Sequence, residues 1–421
     1  MIADRARREL AERVHMLAAV KRASRSAAAF GLIAAQAVAG CGNGGDNELS
    51  SRAGGDQAPP PPAKLAGPRA VAPGGRLELH AADFATSQLQ YDEGAGWQRA
   101  AGARVANGSI EWRAPERLGR MRLRAQDHDG AYTSTKRVRV RPLHFAAVGD
   151  VNLGDGPGEA IAANGPRFPW TSVGPLLRRS DLVLANLESP VAHGGTPQEK
   201  QFVFEGDPSS LPAMHRSGGI DIANLANNHS DDFGSRALLA TTANVRRAGM
   251  TPVGAGRNAA VAYRPVVLER LGLRVAIVGF SVILPYEFRA TDTTPGTAWG
   301  FPDQVASAIR AAKREADVVI ATFHWGIELQ TEPNEEQRQL AAIAAKNGAN
   351  VITGGHPHVL QPFETIGETP VAWSLGNFVF AANSPETTRT GIWQLALGRD
   401  RVYGTHLVPV TIEGVKPVLD G

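Results

Sequence analysis

The chain has 421 residues, 43% hydrophobic and 20% charged, a composition that fits two or three soluble-type globular domains. Its net charge is +3, but seven cations against three acids in residues 1–40 (Arg5, Arg7, Arg8, Arg13, Lys21, Arg22 and Arg25 against Asp4, Glu9 and Glu12) leave the remainder at −1. By composition that remainder is not a general polyanion binder, and a nucleic-acid partner is excluded.

The basic start runs into SAAAFGLIAAQAVAG, residues 26–40, an apolar stretch too short for a membrane span. Val38-Ala39-Gly40-Cys41 follows, a small-residue cleavage site ending on the chain's one cysteine. This pattern resembles a bacterial lipoprotein signal. The expectation is a signal peptide over 1–40, acylation of Cys41, and an exported protein anchored in the membrane by lipid, facing the periplasm or cell surface. With one cysteine there is no disulfide framework and no thiolate metal site. Residues 41–68, rich in Gly, Pro and Ser, read as a disordered tether stiffened by Pro59–Pro62.

Residues 69–141 alternate apolar with polar positions in GRLELHA, LQYDEG, SIEWRAP, MRLRAQD and TKRVRVRP, with turn signals between them. They predict a small all-β sandwich resembling immunoglobulin-like modules, with Trp97 and Trp112 in its core. Asp127 and Asp129 read as a plain turn.

From residue 142 onward the texture changes. Short apolar runs end in polar clusters: FAAVGD, DLVLANLE, DIANLANNH, RVAIVGF, DVVIATFHWG, NVITGGHPH and VAWSLGNF. Ala-rich stretches of helical spacing lie between several of them. This alternation predicts an α/β domain over 142–421, with ligands expected at the C-terminal strand ends. Those ends carry Asp150 with Asn152, Asn186 with Glu188, Asn228 with His229, then His324, and His356 with His358. Taken singly, each has an ordinary structural explanation as a turn, a cap or a buried histidine. Together they form a nitrogen and oxygen donor set larger than one tetrahedral zinc needs. It suits one or two divalent ions such as Mn, Fe, Zn or Mg.

GDVNLG (149–154), ANLESP (185–190), LANNHSDDFG (225–234), VGAGRN (253–258), FHWGIELQTEPNEEQRQLA (323–341), GGHPHVLQ (354–361) and SLGNFVF (374–380) occur in order over about 236 residues. In this the chain resembles the CapA family of capsule synthesis proteins, within the calcineurin-like metallophosphoesterase superfamily. The resemblance covers neither the tether nor the small β domain. It implies a β-sandwich flanked by helices in four layers, αββα, with a two-metal site at the strand ends. It implies metal ligation by Asp150, Glu188, Asn228, His324, His356 and His358, with His229 as general acid. Asn152 stands where phosphoesterases carry a further histidine, so one ion is expected to be held weakly. Asn152, Asn186, Asp232, Glu328, Gln361, Ser374 and Asn377 are implied as supports for the ligands or as substrate contacts, with Asp232 and Glu328 fixing imidazole tautomers.

The residues do not distinguish an attacked phosphoryl centre from a carbonyl. The family context implies an anionic extracellular polymer such as poly-γ-glutamate, or the capsule export machinery, as partner. The expectation is a metal-dependent hydrolase. The alternative is a non-catalytic protein that binds or tethers an exopolymer on the same fold. Segment 283–301 has no regular period and is expected to form a lid or substrate loop.

Overall fold

The computed structural model describes residues 62–420. The expected signal peptide, Cys41 and most of the tether lie outside these residues. Among the described residues no helix is long and apolar enough to cross a membrane.

The small unit follows from period-two sequence. In RLELHA, Arg76–Ala81, every second residue is buried. One sheet has the order β1 (Leu65–Ala66), β3 (Arg76–Ala81), β7 (Ser109–Arg113), β6 (Arg104–Ala106). The other has the order β2 (Ala70–Val71), β9 (Lys136–Val140), β8 (Gly119–Asp127), β4 (Thr86–Asp92), β5 (Gln98–Arg99). Leu77, Leu79, Ile110 and Trp112 of the first meet Leu89, Met121, Leu123 and Val138 of the second in one core.

Two expectations change here. Leu65 pairs with Ala81 within the stretch expected as tether, because a two-residue edge strand carries no readable period. Trp97 is not a core residue. It lies between β4 and β5, half-buried, with the Arg124 guanidinium 4.1 Å from its ring centre. Trp112 is buried and meets Tyr91 at 4.9 Å between centroids. Asp127 Oδ1 accepts from the N–H groups of Asp129 and Ala131, the hydrogen bonding of an ordinary turn.

The large unit holds two further sheets. The first has the order β13 (Thr251–Val253), β12 (Ile222–Asn224), β11 (Leu182–Leu187), β10 (Leu143–Val151), β23 (Arg389–Leu397), β24 (Val402–Glu413), β25 (Lys416–Leu419), and β22 (Asn377–Val379) pairs with the end of β10. The second has the order β15 (Val266–Arg270), β16 (Leu273–Ser281), β18 (Val318–His324), β19 (Val351–Gly355), β21 (Thr369–Ala372), β20 (Phe363–Ile366). A short ribbon joins β14 (Ala255–Gly256) to β17 (Gly296–Thr297).

Phe145, Leu184 and Ile222 of the first sheet pack on Val275, Ile277 and Ile320 of the second. The outer face of the first sheet is covered by α1 (Asp155–Asn164), α2 (Leu211–Arg216) and α3 (Ser235–Arg247), through Ile161, Met214, Leu238 and Val245. The outer face of the second is covered by α4 (Pro302–Glu315) and α5 (Glu335–Lys346), through Val305, Ile309, Leu340 and Ala344. Both faces of the central strands are therefore apolar, which explains their unbroken hydrophobic runs.

Helix α5 starts with a capping box, in which Asn334 Oδ1 accepts from Gln337 N and Gln337 Oε1 accepts from Asn334 N. The small unit is tied to the large one by Ala72 N donating to Leu271 O and by Arg113 beside Asp317 at 3.4 Å.

Candidate metal centre

Strands β10, β11 and β12 are parallel, as are β16, β18 and β19. Their C-terminal ends meet at one edge. The register sets Asp150 beside Asn186 and Asn186 beside Asn224 in the first sheet. In the second it sets His324 beside Gly355.

Glycine lets the two sheets close on each other at this edge. A Cβ on Gly355 would lie 2.4 Å from Asp150 Oδ1. The corner after Gly355 holds both histidines in the left-handed region, His356 at φ 95° and His358 at φ 58°. Such backbone costs about 1–3 kcal/mol per residue and persists only where packing over-determines it. Here part of that packing is His356 N donating to Asp150 Oδ2 at 3.0 Å.

The side chains converge. Asp150, Glu188 and His324 are each fully buried. His324 Nε2 lies 2.7 Å from Asn228 Oδ1 and 3.3 Å from Glu188 Oε1. His358 Nε2 lies 3.9 Å from the same Glu188 oxygen, and His358 Nδ1 lies 3.6 Å from Asp150 Oδ2. Glu188 therefore stands between two imidazoles. It belongs to both compact donor groups, one with His356 and His358 and one with Asp150 and His324.

Two buried donor atoms of this set have no hydrogen-bond partner among the described residues, Glu188 Oε1 and His356 Nδ1. Polar atoms left so in a protein interior are costly unless a ligand completes them. Within each of these two groups the carboxylate and imidazole donors lie within 4.8 Å of one another, a spacing that fits a divalent cation.

The electrostatics agree with that fit. Burial, and then the Glu188 charge, push the Asp150 carboxyl up to about 6. Burial acts in the same direction on Glu188, but His324 and His358 outweigh it and hold Glu188 well below the usual carboxylate range. Burial and the charge of His324 push His356 well down. Burial also opposes the charge on His358, but Glu188 and Asp150 raise it above its ordinary value. Two crowded acids thus share the site with imidazoles that a cation would relieve.

His229 forms the wall beside this cluster. Its Nδ1 is 2.8 Å from Asp232 Oδ2, and Phe204 stacks on its ring at 4.2 Å. Lys200 pairs with Asp232, lies 3.2 Å from His229 Nδ1 and donates to Asn228 O at 2.7 Å. Lys200, Asn228, His229, Leu284, Tyr286 and Glu328 border a cleft of about 480 Å³.

Residues 144–382 match the family model described as bacterial capsule synthesis protein PGA_cap. The chain belongs to this capsule synthesis family, the CapA family. The PGA biosynthesis protein CapA of Bacillus subtilis is 30% identical over 278 residues, covering 65% of this chain and 73% of that protein. The capsule biosynthesis protein CapA of Bacillus anthracis is 31% identical over 295 residues, 68% and 72% of the two chains. A probable polyglutamine synthesis accessory protein of Mycobacterium tuberculosis is 28% identical over 230 residues, 51% and 60%. Among solved structures, the NAD nucleotidase of Haemophilus influenzae aligns with a TM-score of 0.41 at 12% identity, covering 64% of this chain and 56% of that one.

The remaining positions implied by the CapA resemblance separate into three kinds. Asn186 is a buried hub. Its Nδ2 faces Asp150 Oδ1 at 2.9 Å, Glu188 Oε2 at 3.3 Å and His324 Nδ1 at 3.1 Å, while its Oδ1 accepts from Asn224 and Asn227. Asn377 Oδ1 lies 2.8 Å from His358 Nδ1, and Asp232 orients His229.

Others bond to backbone or to each other's supports rather than to the donors. Asn152 Oδ1 accepts from Gly154 N, which closes a turn. Ser374 Oγ donates to Val359 O and accepts from Gly376 N. Gln361 donates to the carbonyls of Gln330 and Glu332 and accepts from Gln337.

Glu328 is exposed on the cleft rim and makes no side-chain hydrogen bond to an imidazole among the described residues, because its loop turns outward after Trp325; of its two expected roles, the position fits a substrate contact rather than the fixing of a tautomer. Segment 283–301 is largely anchored. Gly296 and Thr297 pair with β14, Tyr263 Oη donates to Trp299 O, and Phe288 is buried, so Leu284–Glu287 is the part that borders the cleft. Sequence reading missed Lys200, Asn224, Asn227 and Phe204. Asn224 and Asn227, in DIANLANNH, sat within the polar end of an apolar run, which was a usable signal. Lys200 lies in a loop with no pattern to mark it.

Proposed function

We propose that this chain is an exported, lipid-anchored envelope protein of poly-γ-glutamate capsule biosynthesis with a divalent-metal hydrolase centre. In this reading Asp150, Glu188, Asn228, His324, His356 and His358 hold one or two ions of Mn, Fe, Zn or Mg, and His229 is the general acid. The observation that carries it is the packing of Asp150, Glu188, His324, His356 and His358 into two compact donor groups that share Glu188, with His356 Nδ1 left without a hydrogen-bond partner among the described residues. A divalent ion bound there supplies Lewis acidity and a water acidified toward neutrality.

The protein groups supply position and protons. Asp232 engages His229 Nδ1, so Nε2 is the nitrogen that exchanges a proton with a leaving group in the cleft. Lys200 screens the Asp232 charge and fixes the Asn228 backbone. Asn186 holds both carboxylates in place. Asn152, occupied with Gly154, favours one tightly held ion over two equal ones. The capsule and PGA biosynthesis roles that the two Bacillus relatives are named for support a capsule polymer or its machinery as partner. The sheet orders β1-β3-β7-β6 and β2-β9-β8-β4-β5 support an immunoglobulin-like reading of the small unit.

The test is metal analysis of the purified chain, then assays with an aryl phosphodiester and with poly-γ-glutamate. His229→Ala is expected to retain metal and to lose turnover by about 10²–10⁴-fold. Undiminished turnover in His229→Ala, or a folded chain that takes up no cation, rejects the assignment. Polymer retention with no turnover in the wild type replaces it with the tethering role.

A further inference from the structure

The bulk charge of the mature-type sequence conceals a local feature on the small unit, outside the matched family region. Strands β8 and β9 are antiparallel, and their register sets Arg120 directly opposite Arg139 and Arg122 directly opposite Arg137. All four are exposed, on the face turned away from the core residues Met121, Leu123 and Val138. Like charges directly opposite each other destabilise a sheet, so folding gains nothing from two such pairs side by side.

The face is poorly neutralised. Arg69, Arg120, Arg122, Arg137 and Arg139 line one groove of about 500 Å³ with two acids, Asp92 and Glu93, a net excess of three cations. Asp92 is committed to Arg122 and to the N–H groups of Gly94 and Gly96. Among the described residues none of Arg69, Arg120, Arg137 and Arg139 has a carboxylate within ion-pair distance. The nearby Lys136 ammonium is pushed below its usual range by partial burial and by the charges of Arg69 and Lys64.

We propose that this arginine ladder is a docking groove for an extended polycarboxylate chain. Guanidinium groups present planar forks that match carboxylates two bonds at a time. Along β8 the cations repeat every second residue, about 6–7 Å apart, and across to β9 about 5 Å apart. That spacing suits a linear polymer with one acid per repeat. A groove suits one chain better than a flat lipid surface. Single-stranded nucleic acid needs open aromatic faces. Here Arg124 lies 4.1 Å from the centre of the Trp97 ring and 3.7 Å from that of Tyr132, so one face of each ring is taken by a cation. The groove is independent of the metal centre, so the proposal stands apart from any hydrolase activity.

The test uses the full chain with chelator present, which silences the metal centre, and measures binding of poly-γ-glutamate at low and raised salt. Each exposed cation contributes roughly a factor of two to five. The variant Arg120→Gln/Arg137→Gln/Arg139→Gln is therefore expected to bind at least about tenfold more weakly, with a thermal midpoint no lower than wild type. Removing the same charge elsewhere, in Arg76→Gln/Arg104→Gln/Arg314→Gln, all exposed and outside the ladder sheet, is expected to leave binding unchanged. If the triple variant folds poorly, Arg137→Gln alone is expected to weaken binding by its own factor of two to five. The proposal is overturned if the ladder variants bind the polymer as wild type does, if the control variant loses as much, or if anionic phospholipid vesicles or DNA bind more tightly than the polymer.

Discussion

Gly355→Ala probes the closeness of the two sheets at the metal centre. The added Cβ would stand 2.4 Å from Asp150 Oδ1 and 3.3 Å from its Cγ. Ordinary contact needs about 3.5 Å, so a shift of about 1 Å is required. Asp150 cannot yield easily. It is fully buried, with Oδ1 bonded to Asn186 and Oδ2 to His356 N. Nor can Gly355, which is paired with His324 in the β18–β19 ladder. The displacement therefore passes to the His356–His358 corner. Overpacking of this kind costs about 1–3 kcal/mol of stability. Disturbing the support of metal ligands weakens affinity by about 10–100-fold. Urea unfolding of the metal-free chain reads the first quantity, and chelator-competition titration with Mn or Zn reads the second. A variant within about 0.5 kcal/mol of wild type and with unchanged metal affinity would refute the claim that Gly355 sets the approach of Asp150 to the corner.

Two further substitutions test the supporting groups. Asp232→Asn leaves the proposed ligands intact but weakens the anchor of His229 Nδ1, so turnover should fall by about 10–100-fold with metal content unchanged. Equal loss of metal would show that Asp232 supports the ligands instead. Asp181 accepts two bonds from Arg141, at 2.6 and 2.8 Å, and one from His144 N. Burial opposes its ionisation, but Arg141 and the His144 N–H outweigh it and hold its pKa below the ordinary value. A depressed carboxylate stabilises the fold above its unfolded pKa of about 3.9 and loses that contribution as pH falls through the folded value. Asp181→Asn should therefore destabilise by about 1–3 kcal/mol at neutral pH, with the gap to wild type closing below about pH 4. A gap that stays constant through that range would contradict the pairing.

Much of the architecture was written locally. DLVLANLE and DVVIATFHWG are apolar on both faces because their strands lie between an opposing sheet and a helix layer, and each turns polar where the strand reaches the edge. Alternation in RLELHA and the Asn334–Gln337 capping box are equally local signals. Such patterns fix which face of an element is buried and where it ends, because they depend on neighbours a few residues away.

Tertiary structure alone decided the pairings between distant segments. The Asn186 hub, the Lys200–Asp232–His229 cluster, the outward turn of Glu328 and the Arg120–Arg139 juxtaposition join residues whose separation no local period encodes. Trp97 shows the same limit, since an aromatic ring in a turn has no strand phase to direct it inward. Register between strands and the direction of a loop depend on which packing buries the most apolar surface with every buried polar group satisfied. That choice is made by the whole chain at once.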